Sequence, residues 1–381
     1  MQLSSKLPNV GTTIFSIMSA LAQEHKAVNL SQGFPNYDPD PRLRKLVFDH
    51  MEMGDNQYAP MPGTPLLRSR IADKINQTYP SVQLDPNTEI TITAGATQAL
   101  FCAFAAFIRP GDEVILIEPC YDSYRPSIET VGGVVVPYRL AAPDYSINWA
   151  EVRRLISPKT KMICTNTPCN PTGKILRQED LDELAHIVQH TNIIHLSDEV
   201  YEHLVFDGNS HVSALAHPEL QKRSMTVFSF GKTFHNTGWK IGYLIAPPEI
   251  TSEFRKVHQF NVFSANHPMQ AALADYLEDS ATYSSLNSFY QEKRDFFLNA
   301  LKGSKLRPLP CEGTYFQLFD YSTISSEKDL DFCKRLTKEI GVATIPVSAF
   351  FSNSQDDKVI RVCFAKTKEV LADAAQRLAS L

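Results

Sequence analysis

Between residue 88 and about residue 283 the chain alternates short apolar runs with stretches of helical periodicity, and few folds accept that rhythm. Runs at 89–93, 113–117, 134–138, 161–165, 193–196, 226–230 and 241–246 read as buried strands. Most are separated by helical patterns, among them 98–107, 123–131 and 180–189. The last carries its acidic residues in its first half, where a helix dipole favours them. Repeated strand–helix–strand units predict an α/β fold built on a mainly parallel wound sheet. After about residue 283 the order changes. A helix at 289–301, a strand at 313–318, a helix at 329–339, strands at 343–346 and 359–364 and a helix at 369–378 predict a smaller α+β domain. The opening, with Pro8, Pro35, Pro39 and Pro41, reads as a segment that packs on that smaller domain. The expected division is 1–47 for this segment, 48–283 for the large domain and 284–381 for the small one.

Length, at 381 residues, suits one large domain with a satellite. A net charge of −5 without a basic stripe argues against nucleic acid as a partner. The seven cysteines lack C-x-x-C spacing and several lie in apolar runs, so they read as reduced, buried thiols with no metal site. Residues 1–6 lack the apolar core of a signal peptide. The longest apolar stretch, 99–108, is about half the ~20 residues that cross a bilayer. The expectation is a soluble, cytoplasmic protein with no membrane partner.

Ligands of a wound sheet gather beyond the carboxyl ends of its strands, and four polar clusters fall at such ends. Thr93-Ala94-Gly95-Ala96-Thr97-Gln98 joins a strand to a helix, where glycine permits close backbone approach and free N–H groups favour an anion. Alone it reads better as an ordinary turn with a threonine cap. Asn166-Thr167-Pro168-Cys169-Asn170-Pro171-Thr172-Gly173 is a loop stiffened by two prolines, which holds the Asn170 amide toward a cleft or simply makes a turn. Ser197-Asp198-Glu199-Val200-Tyr201 puts an acid at a buried strand end, where it needs a partner. That partner is either a structural cation or a pyridine nitrogen, which a carboxylate keeps protonated so that the ring draws electrons. Tyr201 then stands within reach of a ring oxygen.

The fourth cluster is Ser229-Phe230-Gly231-Lys232-Thr233-Phe234, followed by Lys240 in Gly238-Trp239-Lys240-Ile241-Gly242. A lysine among small and aromatic residues is poorly hydrated, which favours the neutral amine that attacks carbonyls and serves as a general base. The alternative is a surface lysine with a packed stem. Ser229 and Lys240 read as phosphate ligands. Arg361, in Ile360-Arg361-Val362-Cys363-Phe364, is a charge within an apolar strand. It suits a bidentate grip on a carboxylate, or else faces water at a sheet edge. Taken together, these parts compose a site for pyridoxal phosphate.

The chain resembles the class I aminotransferases of the aspartate-aminotransferase fold. Within them it is similar to the kynurenine and glutamine aminotransferase branch and to bacterial methionine aminotransferases. The resemblance runs nearly end to end, from Gly11-Thr12-Thr13-Ile14-Phe15 and Asn29-Leu30-Ser31-Gln32-Gly33-Phe34-Pro35 to Arg361-Val362-Cys363-Phe364-Ala365-Lys366. Its most specific carriers are Asn-Pro-x-Asn-Pro-Thr-Gly-like 166–173, Ser-Asp-Glu-Val-Tyr and Ser-Phe-Gly-Lys-Thr, in that order. The resemblance implies pyridoxal 5'-phosphate as cofactor, with Lys232 as the catalytic Schiff-base lysine. It implies Asp198 as partner of the ring nitrogen, and Tyr201 and Asn170 as partners of the ring hydroxyl. Gly95, Ala96, Thr97, Ser229 and Lys240 match the phosphate cradle, with Lys240 standing where many relatives carry arginine. Tyr121 matches the aromatic that stacks on the ring. Gly33, Asn170 and Arg361 match the substrate carboxylate site. Phe15 and Phe263 align with side-chain pocket positions, Phe263 from the partner chain. Tyr58 matches the tyrosine that reaches a neighbouring subunit's phosphate, so a homodimer is implied.

The expected activity is transfer of an amino group from methionine or an aromatic amino acid, or from glutamine, histidine or kynurenine, to a 2-oxo acid. Two other readings share parts of the evidence. A cysteine-conjugate β-lyase would keep the cofactor and the Cα chemistry. A ligand-sensing regulator would add a DNA-binding domain, for which fewer than ~30 residues precede the first family motif.

Overall fold

The computed structural model describes residues 3–381. Helix α1 (Ile14–Glu24) starts at Thr13, whose hydroxyl accepts the Ser16 N–H at 3.3 Å. The two-residue strand β1 (Val28–Asn29) follows. Helix α2 (Pro41–Met53) starts on an Asp40 cap with proline in its first turn. It ends at Gly54, where φ is 101°, a left-handed value that glycine adopts without penalty. Helix α3 (Pro65–Thr78) completes the opening, and both α2 and α3 pack on the later helix His267–Tyr276.

The large sheet is built from β2 (Ile90–Thr93), β3 (Glu113–Glu118), β4 (Val134–Arg139), β5 (Thr160–Asn166), β6 (Ile194–Asp198), β7 (Ser224–Ser229) and β8 (Gly242–Ile245). Their spatial order is β2-β8-β7-β6-β5-β3-β4, and only β8 runs against its neighbours. Helices α4 (Ala96–Phe107), α5 (Tyr124–Thr130), α6 (Trp149–Arg154) and α7 (Gln178–Val188) connect the strands; the one-turn α8 (Phe230–Thr233), then α9 (Pro248–Asn261) and α10 (His267–Tyr276) follow. Strand periodicity decides which helix each residue meets. Val114 and Leu116 pack with Leu100 and Phe104 of α4. Ile115, pointing the other way, packs with Leu181, Leu184 and Val188 of α7. The wound, mainly parallel α/β sheet expected from the sequence is the observed one.

The reversal of β8 has a consequence for the site. Its first residues lie at the edge where the parallel strands end, because Gly242 pairs with both Thr93 and Ser229. A Cβ on Gly242 would lie 2.7 Å from the Phe228 carbonyl oxygen and 2.8 Å from the Ala96 nitrogen. Glycine there lets α4 begin directly over the sheet edge.

Beyond α11 (Ala281–Ser284) and α12 (Leu286–Ala300) come β9 (Arg307–Pro308), β10 (Phe316–Asp320), α13 (Asp329–Arg335), β11 (Val342–Ala343), β12 (Ile345–Pro346), β13 (Val359–Cys363) and α14 (Lys368–Leu378). Strands β12-β13-β10-β9 form an antiparallel sheet, while β11 pairs in parallel with β1. Helix α1 packs on β11 and β12. An aromatic-rich core, including Tyr290, Phe297, Phe316, Phe319 and Phe332, holds this layer together.

Several element boundaries differ from expectation. The strand expected at 343–346 is two strands in different sheets, because β11 pairs with β1 and β12 with β13. The strand expected from 313 starts at Phe316, since Thr314 has φ 68° and Gly313 is pressed against Pro168. The helix expected to reach 339 changes to a wider turn over Leu336–Ile340. Among the described residues no helix is long and apolar enough to cross a membrane, and no group of three His, Cys, Asp or Glu side chains is placed to hold a metal. All seven cysteines are free thiols, and only Cys169 is not buried.

Candidate active site

At the carboxyl edge of the large sheet lies a cavity of about 140 Å³. Gly95, Ala96, Thr97, Tyr121, Asn170, Asp198, Tyr201, Ser229, Lys232 and Lys240 all line it. The sheet supplies this convergence. Thr93 ends β2, Asn166 and Asp198 end adjacent strands in register, and Ser229 ends β7 just before the helical turn that carries Lys232. Lys232 thus sits within α8 rather than at a strand end, because the chain turns helical at Phe230.

Asp198 forms one wall. It is 4% exposed, and its Oδ2 accepts the Tyr124 hydroxyl at 2.6 Å while its Oδ1 accepts the Val200 N–H at 3.3 Å. Burial lifts its carboxyl to about 6, against the opposing effects of those two bonds and of the nearby Lys232 amine. Asn166 ties this wall to the next loop: its amide donates to the Asp198 carbonyl at 2.8 Å, and its oxygen accepts the Asn170 N–H at 2.7 Å. Tyr121 lies edge-on to Tyr124, with ring centroids 5.7 Å apart.

Opposite Asp198 is a recess built for an anion. Gly95 caps α4 with φ 79°, leaving the first N–H groups of the helix without intrahelical acceptors. A Cβ on Gly95 would fall 3.2 Å from Lys240 Cε and 3.3 Å from its Nζ. Lys240 is itself held at φ 57°, so the ammonium is set beside the helix start by an uncommon backbone conformation.

The Lys232 amine stands between these walls. Burial brings it down to about 8; Arg361 and Lys240 act in the same direction, while Cys363 and Asp198 oppose them. Its Nζ donates to the Tyr315 hydroxyl at 3.1 Å and to the Gly33 carbonyl at 3.4 Å. A lysine ionising near neutrality is available both as a nucleophile and as a base.

Arg361 lies beyond Asn170, buried in β13. Its Nη1 donates to Asn170 Oδ1 at 2.6 Å and its Nη2 to the Ser31 carbonyl at 3.1 Å, while Nε has no partner. Among the described residues it forms no ion pair. Aromatic faces cage it instead, with Phe316, Phe350 and Phe15 ring centroids 3.9, 5.0 and 5.3 Å from the guanidinium carbon. A buried cation with an unpartnered donor and no ion-pair partner calls for an anionic ligand. Phe15, Tyr121, Asp122 and Phe350 also line an adjoining cavity of about 620 Å³.

Tyr58 and Phe263 line neither cavity. They are 81% and 50% exposed and meet each other edge-on at 5.3 Å, away from this chain's own site. Three residues of the site escaped sequence reasoning: Tyr124 on Asp198, Asn166 bridging two loops, and Tyr315 on Lys232. Asn166 opens the same Asn-x-x-x-Asn loop as Asn170, which was the available signal. Tyr315 and Tyr124 act across 83 and 74 residues of chain, and no local pattern marks them.

Pyridoxal phosphate fits this donor set. The Gly95 recess with Lys240 and the α4 N-terminus would hold a phosphate, Asp198 would face a ring nitrogen, and Lys232 would reach the aldehyde. The absence of a side chain at Gly95 lets Lys240 approach the start of α4 closely.

Residues 25–378 match the family model described as aminotransferase class I and II. The methionine aminotransferase of Escherichia coli (strain K12) is 49% identical over 99% of this chain and 98% of that protein. Human kynurenine–oxoglutarate transaminase 1 is 34% identical over 94% of this chain and 93% of that protein. An Escherichia coli crystal structure, for which a methionine aminotransferase function was identified, superposes with a TM-score of 0.98 over the whole of both chains at 48% identity. The N-succinyldiaminopimelate aminotransferase structure from Mycobacterium tuberculosis gives 0.95 at 35% identity, again over the whole of both chains.

Proposed function

This chain belongs to the class I and II aminotransferases, and we propose that it binds pyridoxal phosphate through Lys232 and moves the amino group of methionine or an aromatic amino acid to a 2-oxo acid. The observation that carries the reading is the single cavity in which Lys232, Asp198, Tyr201 and the Gly95 recess meet. Pyridoxal phosphate, when bound, supplies the electron sink that stabilises charge left at a substrate's Cα. The residues have separate tasks. Ala96, Thr97, Ser229 and Lys240 bind the phosphate. The Asp198 carboxylate holds a proton at the ring nitrogen, and the Tyr124 hydroxyl keeps that carboxylate oriented. Asn170, Tyr201 and Tyr121, which line the same cavity, would hold the ring of the cofactor. Lys232 Nζ would move the substrate's Cα proton as general base and acid. Arg361, steadied by Asn170 and the Ser31 carbonyl, binds the carboxylate common to every amino and 2-oxo acid.

The side-chain preference rests on the adjoining cavity. Its aromatic walls, Phe15, Tyr121 and Phe350, suit a thioether or a ring. Asp122 adds a carboxylate with no hydrogen-bond or ion-pair partner among the described residues. Burial raises its carboxyl, while Arg361 draws it back. Glu118 and Arg125 in the same wall neutralise one another at 2.9 Å. The Asp122 carboxylate disfavours a second carboxylate on the substrate, so neutral side chains enter in preference to those of aspartate and glutamate.

A homodimer completes the site on this reading. The exposed Tyr58 and Phe263, together with Phe260 at 87% exposure, form an apolar surface suited to a second copy of the chain. The proposal is tested by a panel of amino donors against several 2-oxo acids, compared by kcat/KM. Methionine and aromatic donors should lead, and a panel led by aspartate or glutamate contradicts the pocket reading.

A further inference from the structure

We propose that Tyr315 is a positioning residue for this chemistry: its hydroxyl, fixed by the Gly33 carbonyl, accepts an N–H bond of the Lys232 amine and holds the nitrogen in place beside the cavity. The inference rests on the proposed role of Lys232 and adds the device that aims it. A phenol has one proton to give, and Tyr315 donates its own to the Gly33 carbonyl at 2.6 Å. Toward Lys232 it is therefore an acceptor only, at 3.1 Å. The second acceptor for the amine is the same Gly33 carbonyl, at 3.4 Å. The two acceptors are themselves 2.6 Å apart, so they lie on one side of the amine and share one N–H between them, which leaves the other N–H and the lone pair free of both.

The arrangement is rigid and spans the two domains. Tyr315 is fully buried, and its ring is fixed edge-on by Tyr201 at 5.1 Å and by Phe316 at 4.9 Å. The Gly33 loop is pressed against the same pair: a Cβ there would lie 2.7 Å from Phe316 Cζ and 3.8 Å from Tyr315 Cε2. Tyr315 immediately precedes β10 of the small domain, whereas Lys232 belongs to the large one. The aim of the amine thus depends on how the small domain and the 31–35 loop sit over the site, and that loop also contributes the Ser31 carbonyl to Arg361.

The test is Tyr315→Phe, which keeps the ring and its aromatic neighbours. In cofactor-free protein, the rate of pyridoxal phosphate capture, followed by absorbance from pH 6 to pH 10, should reach a plateau about tenfold below that of the unmodified protein. In loaded enzyme kcat for methionine should fall about ten- to a hundredfold while KM stays within about twofold. A residue that only supports the fold would lower the melting temperature and leave the plateau rate and kcat unchanged, and that result overturns the inference. Turnover that survives Lys232→Ala is a different failure, because it removes the cofactor site itself.

Discussion

Replacing Asp198 with asparagine should make the cofactor-free protein more stable at neutral pH while it removes activity. The carboxyl is 4% exposed, and burial raises it from an ordinary 3.8 to about 6. Between those two values the folded protein holds a proton that the unfolded chain has released. The stabilisation from that proton is fully present below pH 3.8 and is lost as the pH rises through about 6. At 1.36 kcal/mol for each pH unit between the two values, the loss comes to ~3 kcal/mol. Asparagine matches the protonated acid in shape and does not titrate, so the variant escapes this loss. Urea denaturation of both cofactor-free proteins at intervals from pH 4 to pH 8 measures the effect, because other groups cancel in the difference. The variant's advantage should grow by ~3 kcal/mol across that range. A difference that stays flat to within ~1 kcal/mol, or that runs the other way, would refute the account of Asp198 as a strained, function-bearing acid.

Two further substitutions probe the ends of the site. Gly95→Ala places a Cβ 3.2 Å from Lys240 Cε at a backbone φ of 79°. It should weaken pyridoxal phosphate binding about tenfold or more, by absorbance titration, and cost ~1–2 kcal/mol of stability. Unchanged affinity would move the anion recess elsewhere. Asp122→Asn should raise kcat/KM for glutamate and 2-oxoglutarate about tenfold and leave methionine within about twofold; equal changes for all substrates would remove Asp122 from selection.

The large sheet was legible because most of its strands are buried on both faces and read as largely apolar runs; β4, at the sheet edge, is only half-buried yet is rich in valine. The opening was less so, although Asp40-Pro41 and Thr64-Pro65 are cap-and-proline helix starts. Helices α2 and α3 were not among the elements expected from the sequence. The site motifs stand at strand ends, where loop chemistry is local, so Gly95, Asn170, Asp198 and Lys232 were visible one by one. Their aim was not. The bond from Tyr124 to Asp198 and the contact of Tyr315 with Lys232 are made by packing between elements far apart in the chain. The split of 343–346 was likewise set by which partner strand each half meets, β1 or β13, and not by its own residues.

The central claim is that one amine, that of Lys232, is the point of covalent attachment. Borohydride reduction of the protein loaded with pyridoxal phosphate, followed by peptide mass mapping, tests it directly. A phosphopyridoxyl group on Lys232 alone is the predicted result. Its appearance on Lys240 or another lysine, or on none, would contradict the account.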